Sequence, residues 1–327
     1  MIPSARPTIR HARESDHEAV AAFTRDTWAD RDVADYIPDV YPEWVAGDGD
    51  DQRTFVADVR DDTDSKAEPG DVVAIVQGHR LTEWEAWASG MRVAPDHRGE
   101  GLAEALTTTV FDWARDRGCV VCRNLTFSWN GPALGVSRRI GFDPCTEIRW
   151  VHPTPDPSAS PPASLSSSPP SATLDDEPNP DGAWAFWSDS AARERLRGLA
   201  MDDEESWALS ALTRDRLRAA AAEDRLVTVD SGTGGFAERV RTFEREEDDD
   251  AEGSEAVAYA EYAIGAWPEG DADAAGAVLA GVARDAAAVG ADRTRVMIPE
   301  GVTWVSDASV ARGEIADEPA FVLAARL

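Results

Sequence analysis

Lysine is almost missing from this 327-residue chain: Lys66 stands alone, and arginine supplies every other basic side chain. Together the bases number 32 against 62 carboxylates, a formal net charge of −30. A chain so short of positive surface offers no basic face to a phosphate backbone, which excludes nucleic acid as a general partner. Cysteine is scarce too. Cys119, Cys122 and Cys145 are too few for a disulfide scaffold. Cys119 and Cys122 form a C-x-x-C, but the pair follows Gly118 at a helix end, where no helix N-terminus lowers a thiol pKa. No second pair completes a zinc site, so both thiols read as buried and structural, and no metal is expected. No apolar run is long enough to cross a bilayer, and MIPSARPTIR has no signal-like apolar core. The expectation is a soluble, cytoplasmic protein with no membrane partner. Neither of two common phosphate loops is present. There is no G-x-x-x-x-G-K-[ST], and residues 99–104, Gly-Glu-Gly-Leu-Ala-Glu, fail G-x-G-x-x-G at the third glycine.

The length fits two domains of ordinary size. The acids are spread over both halves, and the acid-rich, lysine-poor balance resembles that of proteins from salt-accumulating halophiles, whose milieu screens the self-repulsion. Residues 153–182, PTPDPSASPPASLSSSPPSATLDDEPNPDG, are dominated by proline and serine and read as an extended, flexible linker. The domains are therefore expected at 1–152 and 183–327.

The chain is organised around Met91–Ala103, MRVAPDHRGEGLA. A strand carrying Met91 and Val93 runs into Pro95 and a basic, glycine-rich turn. An amphipathic helix follows, with Ala103, Leu106, Val110, Phe111 and Ala114 on one face. Strand, glycine turn and helix is a device for holding an anion. Glycines allow positive φ and close approach, and the unpaired N–H groups of the first helical turn point at a phosphate. Arg98 adds a fixed charge.

The first half reads β-α-α-β-β-β-α-β-α-β. Its strands are at about 8–12, 54–59, 71–77, 81–93, 120–128 and 142–151; its helices are at 15–28, 103–117 and 130–140, with a short helix or helix-turn, broken by Pro38 and Pro42, within 33–45. The charged run 60–71 is the hairpin turn. In the second half, 189–199 and 204–222 read as helices and 226–230 and 238–244 as strands. EREEDDDAEGSE reads as an acidic loop. Strand 256–266, helix 272–289, strand 293–298, helix 302–312 and strand 320–327 then repeat the order of the first half. Glu83 and Glu85 share a period-two face with Trp87, Ser89 and Met91. Beside tryptophan a carboxylate can acquire a raised pKa suited to accepting a proton, while edge charges are ordinarily just solvated. His79 is a weaker candidate of the same kind. Tyr36, Tyr41 and Trp44, with Asp35, Asp39 and Glu43, make an aromatic and acidic surface suited to a cationic amine, or equally ordinary packing.

Three short motifs carry a family resemblance. R-x-x-G-x-A runs from Arg98 through Gly101 to Ala103, V-x-P-x-x-R-G precedes it from Val93 to Gly99, and Gly141-Phe142 follows. With the element order, they make residues 1–152 resemble a complete GCN5-related N-acetyltransferase (GNAT) domain. The resemblance implies an α/β fold with a mixed sheet, a second, GNAT-like lobe in 183–327, and acetyl-CoA as cosubstrate. It also implies N-acetyl transfer to a primary amine in a ternary complex. Met91 and Val93 would supply backbone groups to the pantetheine, and Arg98, Gly99, Glu100, Gly101, Leu102 and Ala103 would cradle the pyrophosphate. Asn130 matches a position that often contacts the cofactor, or simply caps a helix. Where the family often has an acidic tyrosine four residues before its G-F pair, this chain has Ser137. In the second lobe the corresponding loop is Pro268-Glu269-Gly270-Asp271-Ala272-Asp273, whose carboxylates would repel a pyrophosphate. Residues 34–45 and the two-lobed layout also resemble, more loosely, histidine N-acetyltransferase-type proteins. Tyr36, Tyr41, Trp44 and Trp87 are then the expected acceptor-binding residues, for a small-molecule amine. Acetylation of a protein N-terminus or lysine, and a non-catalytic acyl-CoA-binding module, are the rival readings. A homodimer is compatible with all three.

Overall fold

The computed structural model describes residues 8–28, 35–59, 71–161, 172–249 and 253–327. The expected hairpin turn at 60–71 falls almost wholly outside them. The chain forms an α/β structure with mixed sheet, and its contacts separate it into two units. The first holds residues 1–125, 130–144 and 323–327; the second holds 126–129 and 145–322. The contact-based division thus differs from a cut at 152. Among the described residues, no helix is long and apolar enough to cross a membrane.

In the first unit, strands β1 (Thr8–His11), β2 (Gln52–Val59), β3 (Asp71–Arg80) and β4 (Glu85–Val93) pair antiparallel in that order. β5 (Val121–Phe127) then pairs parallel to β4. One face of the sheet is covered by α1 (His17–Thr24) and α2 (Ile37–Gly47). Val20, Ile37 and Tyr41 pack there against Val56, Val72 and Ile75. The other face carries α3 (Leu102–Arg115), whose buried Leu106, Val110, Phe111 and Trp113 keep the expected helical period. Gly78 on β3 lets α3 come close: a Cβ there would lie 3.0 Å from Val110 and 3.2 Å from Trp113. Helix α4 (Gly131–Ile140) ends at Gly141, and β6 (Asp143–His152) follows. Cys119 and Cys122 are buried, and burial raises both thiols above their ordinary pKa.

One strand begins later than its sequence suggests. Residues 81–84 are a turn, closed by Glu85 accepting the N–H groups of Leu81 and Thr82, so β4 starts at Glu85. Glu83 is consequently exposed in that turn and does not share a strand face with Glu85.

The second unit contains short α5 (Pro180–Ser188) and α6 (Ala191–Arg195), a two-stranded ladder of β7 (Leu199–Met201) and β8 (Leu209–Ala211), and α7 (Arg214–Ala222). The helix expected over 204–222 therefore begins only at Arg214, where Thr213 caps it. Its sheet joins β9 (Leu226–Val229), β10 (Gly235–Asp249) and β11 (Gly253–Ala266) antiparallel. β12 (Arg293–Pro299) is parallel to β11, and β6 is antiparallel to β12. The acidic run 244–255 is mostly strand, since β10 and β11 extend to its centre. Helix α8 (Ala272–Ala288) is buried on nearly every side, which its alanines permit. Helix α9 (Val302–Val310), β13 (Glu314–Ile315) and β14 (Ala320–Arg326) complete the chain. The Pro/Ser-rich stretch is anchored on both sides of residues 162–171. Asp156 N–H donates to Ala283, Ala159 accepts from Arg284, Leu174 bridges to Val229, and Asp175 accepts from Thr228, Ser231 and Gly232. These described parts pack on the second unit and are not an extended tether.

Candidate active site

Two features of β4 prepare a site in the first unit. Its ladder with β5 joins only Glu85, Ala86 and Trp87 to Val121, Cys122 and Arg123. From residue 88 to Val93 the β5-facing edge of β4 has no strand partner, so a notch opens toward the ends of two parallel strands. On the opposite edge Ile75 pairs with Arg92 and Gln77 with Ser89, leaving Gly90 and Met91 opposite Val76 alone. That extra residue is a β-bulge, which turns backbone groups out of the ladder. Gly90 has φ +63°, and a Cβ there would overlap the Trp44 ring, so only glycine fits. Trp44 is thereby fixed over the bulge.

The turn after β4 leads to α3. Gly101 is its N-cap at φ +84° with no side-chain cap, and Gly99 is at φ +83°. A Cβ at either would meet nothing within 4 Å. The first intrahelical donor is Ala105, bonded to Gly101, so the N–H groups of Leu102, Ala103 and Glu104 precede the helical ladder. Arg98 is exposed, its Nε 3.4 Å from the Val93 carbonyl. Glu100 lies 3.5 Å from His97, part-exposed. An open backbone cradle with one arginine and the positive end of a 14-residue helix fits a pyrophosphate.

The face of the sheet turned away from α3 bears the polar groups. Gly78 points at α3, so its neighbours Gln77 and His79 point the other way, with their partners Ser89 and Trp87. Glu85 is fully buried. Arg123 donates to it at 2.6 Å, and the Thr82 hydroxyl is 3.2 Å away. His79 Nε2 donates to the Gln77 side-chain carbonyl at 2.7 Å. Burial lowers the His79 pKa to about 4, so the ring is neutral near pH 7. Farther along, Arg92 spans the bulge. Its Nε is 2.6 Å from buried Asp35, Nη1 is 3.1 Å from the Met91 carbonyl, and the guanidinium stacks 4.5 Å from the Trp28 ring.

The remaining expected residues divide. Tyr36 is exposed, and Trp44 is half-buried at the bulge. Tyr41 is wholly buried, stacked on His17, with its hydroxyl on the Arg13 carbonyl; burial raises its pKa. It belongs to the helix core and not to an acceptor surface. Trp87 is likewise covered. Asn130 caps α4 by accepting from Ala133 at 3.2 Å. Ser137 is buried on α4 and accepts from Asn124 of β5 at 3.3 Å. Gly90, Gln77 and Arg92 escaped the sequence reading, and Asp35, read there as part of an acidic surface, is buried against Arg92. A glycine inside a strand was the one usable signal, since it marks a bulge or a close approach.

The corresponding loop of the second unit is filled from within. Asp307 of α9 accepts from the Gly270 N–H at 3.0 Å and the Trp267 indole at 3.2 Å, and Asp271 caps α8 by accepting from Ala274. Among the described residues no group of histidine, cysteine and carboxylate side chains is arranged to hold a metal.

The model of the acetyltransferase (GNAT) family matches residues 14–142. Streptothricin acetyltransferase of Streptomyces lavendulae is 30% identical over 166 residues, covering 42% of this chain and 82% of that protein. The chain belongs to the GNAT family of acetyltransferases, which in general use acetyl-CoA. Among solved structures, a GCN5-related N-acetyltransferase from Sphaerobacter thermophilus covers 98% of this chain and 96% of its own at 15% identity, with a TM-score of 0.60. A Thermoplasma acidophilum structure described as an acetyltransferase covers 98% and 100%, also at 15% identity, with a TM-score of 0.52. Both share the fold across the two units.

Proposed function

We propose that the first unit transfers an acetyl group from acetyl-CoA to a primary amine of a small, amino-acid-like or cationic molecule, directly and within a ternary complex. The observation that carries this reading is the open glycine cradle at the α3 N-terminus, set at the end of the unpaired edge of β4. The cosubstrate supplies an activated thioester. Arg98 and the N–H groups from Gly99 to Ala103 hold its pyrophosphate, while Glu100 turns its side chain to solvent. The backbone groups of Met91 and Val93, freed from β5, align the pantetheine, and Asn130 borders it from the start of α4. Arg92, tied to Asp35, fixes the bulge that aims those groups.

The acceptor amine must be neutral to attack. Exposed Tyr36, Asp39 and Glu43 draw a cation toward Trp44. Of the two carboxylates expected to take its proton, Glu85 is the better placed, on the face shared by Trp87 and Ser89. Glu83 borders the route to solvent. Ser137 donates toward the leaving sulfur from the α4 side. The relative described as acting on streptothricin supports a small molecule over a protein acceptor.

Thiol release from acetyl-CoA against amino acids, polyamines, aminoglycosides and peptides, in several molar KCl, tests the reading. Turnover with small amines is expected, and Glu85→Gln should depress it far more than Glu83→Gln. Binding of CoA without any turnover would convert the protein into a binding module. Absence of CoA binding would remove the cradle assignment.

A further inference from the structure

Beside the bulge, the sheet face that looks toward α1 and α2 changes character. Val56, Val72 and Ile75 make it apolar under the helices. Beyond them it carries Gln77, His79, Ser89, Arg123 and Glu85, nearly all buried. Buried polar atoms are ordinarily hydrogen-bonded, and each exception asks what completes it. Two exceptions lie together here: Gln77 Nε2 and Ser89 Oγ are buried with no partner, and Gln77 is 0% exposed. Arg123 lies apart, its guanidinium turned to Glu85 and the Trp84 ring. Gln77 and Ser89 are directly paired across β3 and β4, so their polar ends share one place on the face.

Gln77 Nε2 is a donor only, whereas the Ser89 hydroxyl donates or accepts. The Gln77 carbonyl is already occupied by His79 Nε2 at 2.7 Å, which fixes the amide with its NH₂ turned the other way. Glu85 is taken up by Arg123 and Thr82. What remains at Gln77 is a buried donor wanting an acceptor oxygen. An ammonium offers it none; a carboxamide, carbonyl or hydroxyl oxygen would be bound.

Resting on the acetyl-transfer reading above, we propose that Gln77 and Ser89 form the specificity subsite of the acceptor, which is an amine carrying an oxygen function near the nitrogen, and not a plain polyamine. His79 is a positioning residue that holds Gln77 in its donating orientation. The unpaired edge of β4 begins one residue after Trp87, so Ser89 lies at the mouth of the notch, two residues from Met91. An amine anchored by its oxygen at Ser89 and Gln77 keeps its nitrogen at the mouth of the notch, on the face that Glu85 shares.

The test compares primary amines with and without an oxygen-bearing group: lysinamide against cadaverine, and ethanolamine against propylamine. kcat/KM is measured for the full chain and for Gln77→Met and Ser89→Ala, with CoA calorimetry confirming that each variant is folded. The wild type should favour the oxygen-bearing partner by tenfold or more. Each variant should lower that preference about 2- to 13-fold, the loss of one neutral hydrogen bond. A preference near one in the wild type, or one unmoved by both variants, overturns the subsite and leaves the groups to structural water. If CoA binds and none of the four amines is acetylated, the amine-transferase reading fails and the subsite fails with it, a result distinct from acetylation without preference. His79→Gln should lower the oxygen preference itself, a ratio that a merely structural histidine would leave unmoved.

Discussion

Gly101 and Gly290 make a controlled pair for the cradle. Both have left-handed φ, +84° and +75°, and a Cβ at either meets nothing within 4 Å. Alanine therefore brings the same backbone strain to each, about 1–2 kcal/mol, with no steric clash. For units of this size that is a fall in Tm of about 2–8 °C in both variants. Their surroundings differ. Gly290 follows α8, and its N–H bonds to Ala287. Gly101 is the N-cap of α3, where three N–H groups await an acceptor. A side chain there, or the backbone shift that relieves the strain, misplaces at least one charge-assisted hydrogen bond to phosphate, worth about 1.5–3 kcal/mol. CoA affinity should therefore fall about 10- to 150-fold in Gly101→Ala and stay within twofold in Gly290→Ala. Calorimetry with CoA, alongside thermal melts, reads both quantities. Equal losses of affinity would trace the effect to stability alone. Unchanged affinity in Gly101→Ala would refute the cradle.

Two further outcomes concern stability. Burial pushes the Glu205 carboxyl up to about 7, with Asp202 adding to burial and Arg241 opposing it. A raised carboxyl favours the fold while protonated, so its contribution is complete below about pH 4.5 and is lost as pH rises through about 7. Glu205→Gln should then stabilise the chain by about 2 kcal/mol at pH 8, allowing for partial exposure, and hardly at all at pH 4.5; equal gains in urea melts at both pH values would contradict the assignment. Asp35 is buried beneath Arg92 and also accepts from the Ile37 N–H. Asp35→Asn should cost about 3–5 kcal/mol, because it strands a guanidinium, whereas Asp112→Asn, which breaks the exposed pair with Arg115, should cost under about 1 kcal/mol; similar losses would mean that Asp35 is not holding the bulge.

Periodicity and turn chemistry made the first unit legible. The α3 face, the Gly101 turn and the two caps at Asn130 and Gly141 are local properties of the chain, and each lies where its residues imply. The start of β4 is hidden by a local turn that Thr82 and Glu85 close on each other, so the run from Leu81 is cut at residue 84. The other misses were long-range. Tyr41 looked available because aromatic residues among acids resemble a surface; its burial comes from packing with His17 and the Arg13 carbonyl, neither adjacent in sequence. The first part of the helix expected over 204–222 gave way to a short ladder that β8 forms with β7, and only Arg214–Ala222 is helical. Gln77 and Ser89 are twelve residues apart and meet only because β3 and β4 pair.

The two helix N-termini that follow β4 and β11 carry the same device in opposite states. At α3 glycine caps the helix and leaves the donors to whatever arrives. At α8 the donors are answered by the chain itself: Asp271 bonds Ala274, and Asp307 takes the Gly270 N–H together with the Trp267 indole. Burial, then Asp271 and Glu269, raise the pKa of Asp307, so its charge is held there against an opposing environment and only because those two donors bind it. A phosphate would have to displace that carboxylate and then face the remaining ones at contact distance, with no arginine in the loop to offset them. Asp307 thus serves as an internal anion that ties the turn to α9 without a ligand. The glycine cap of α3 instead leaves its donors to solvent or to an arriving anion.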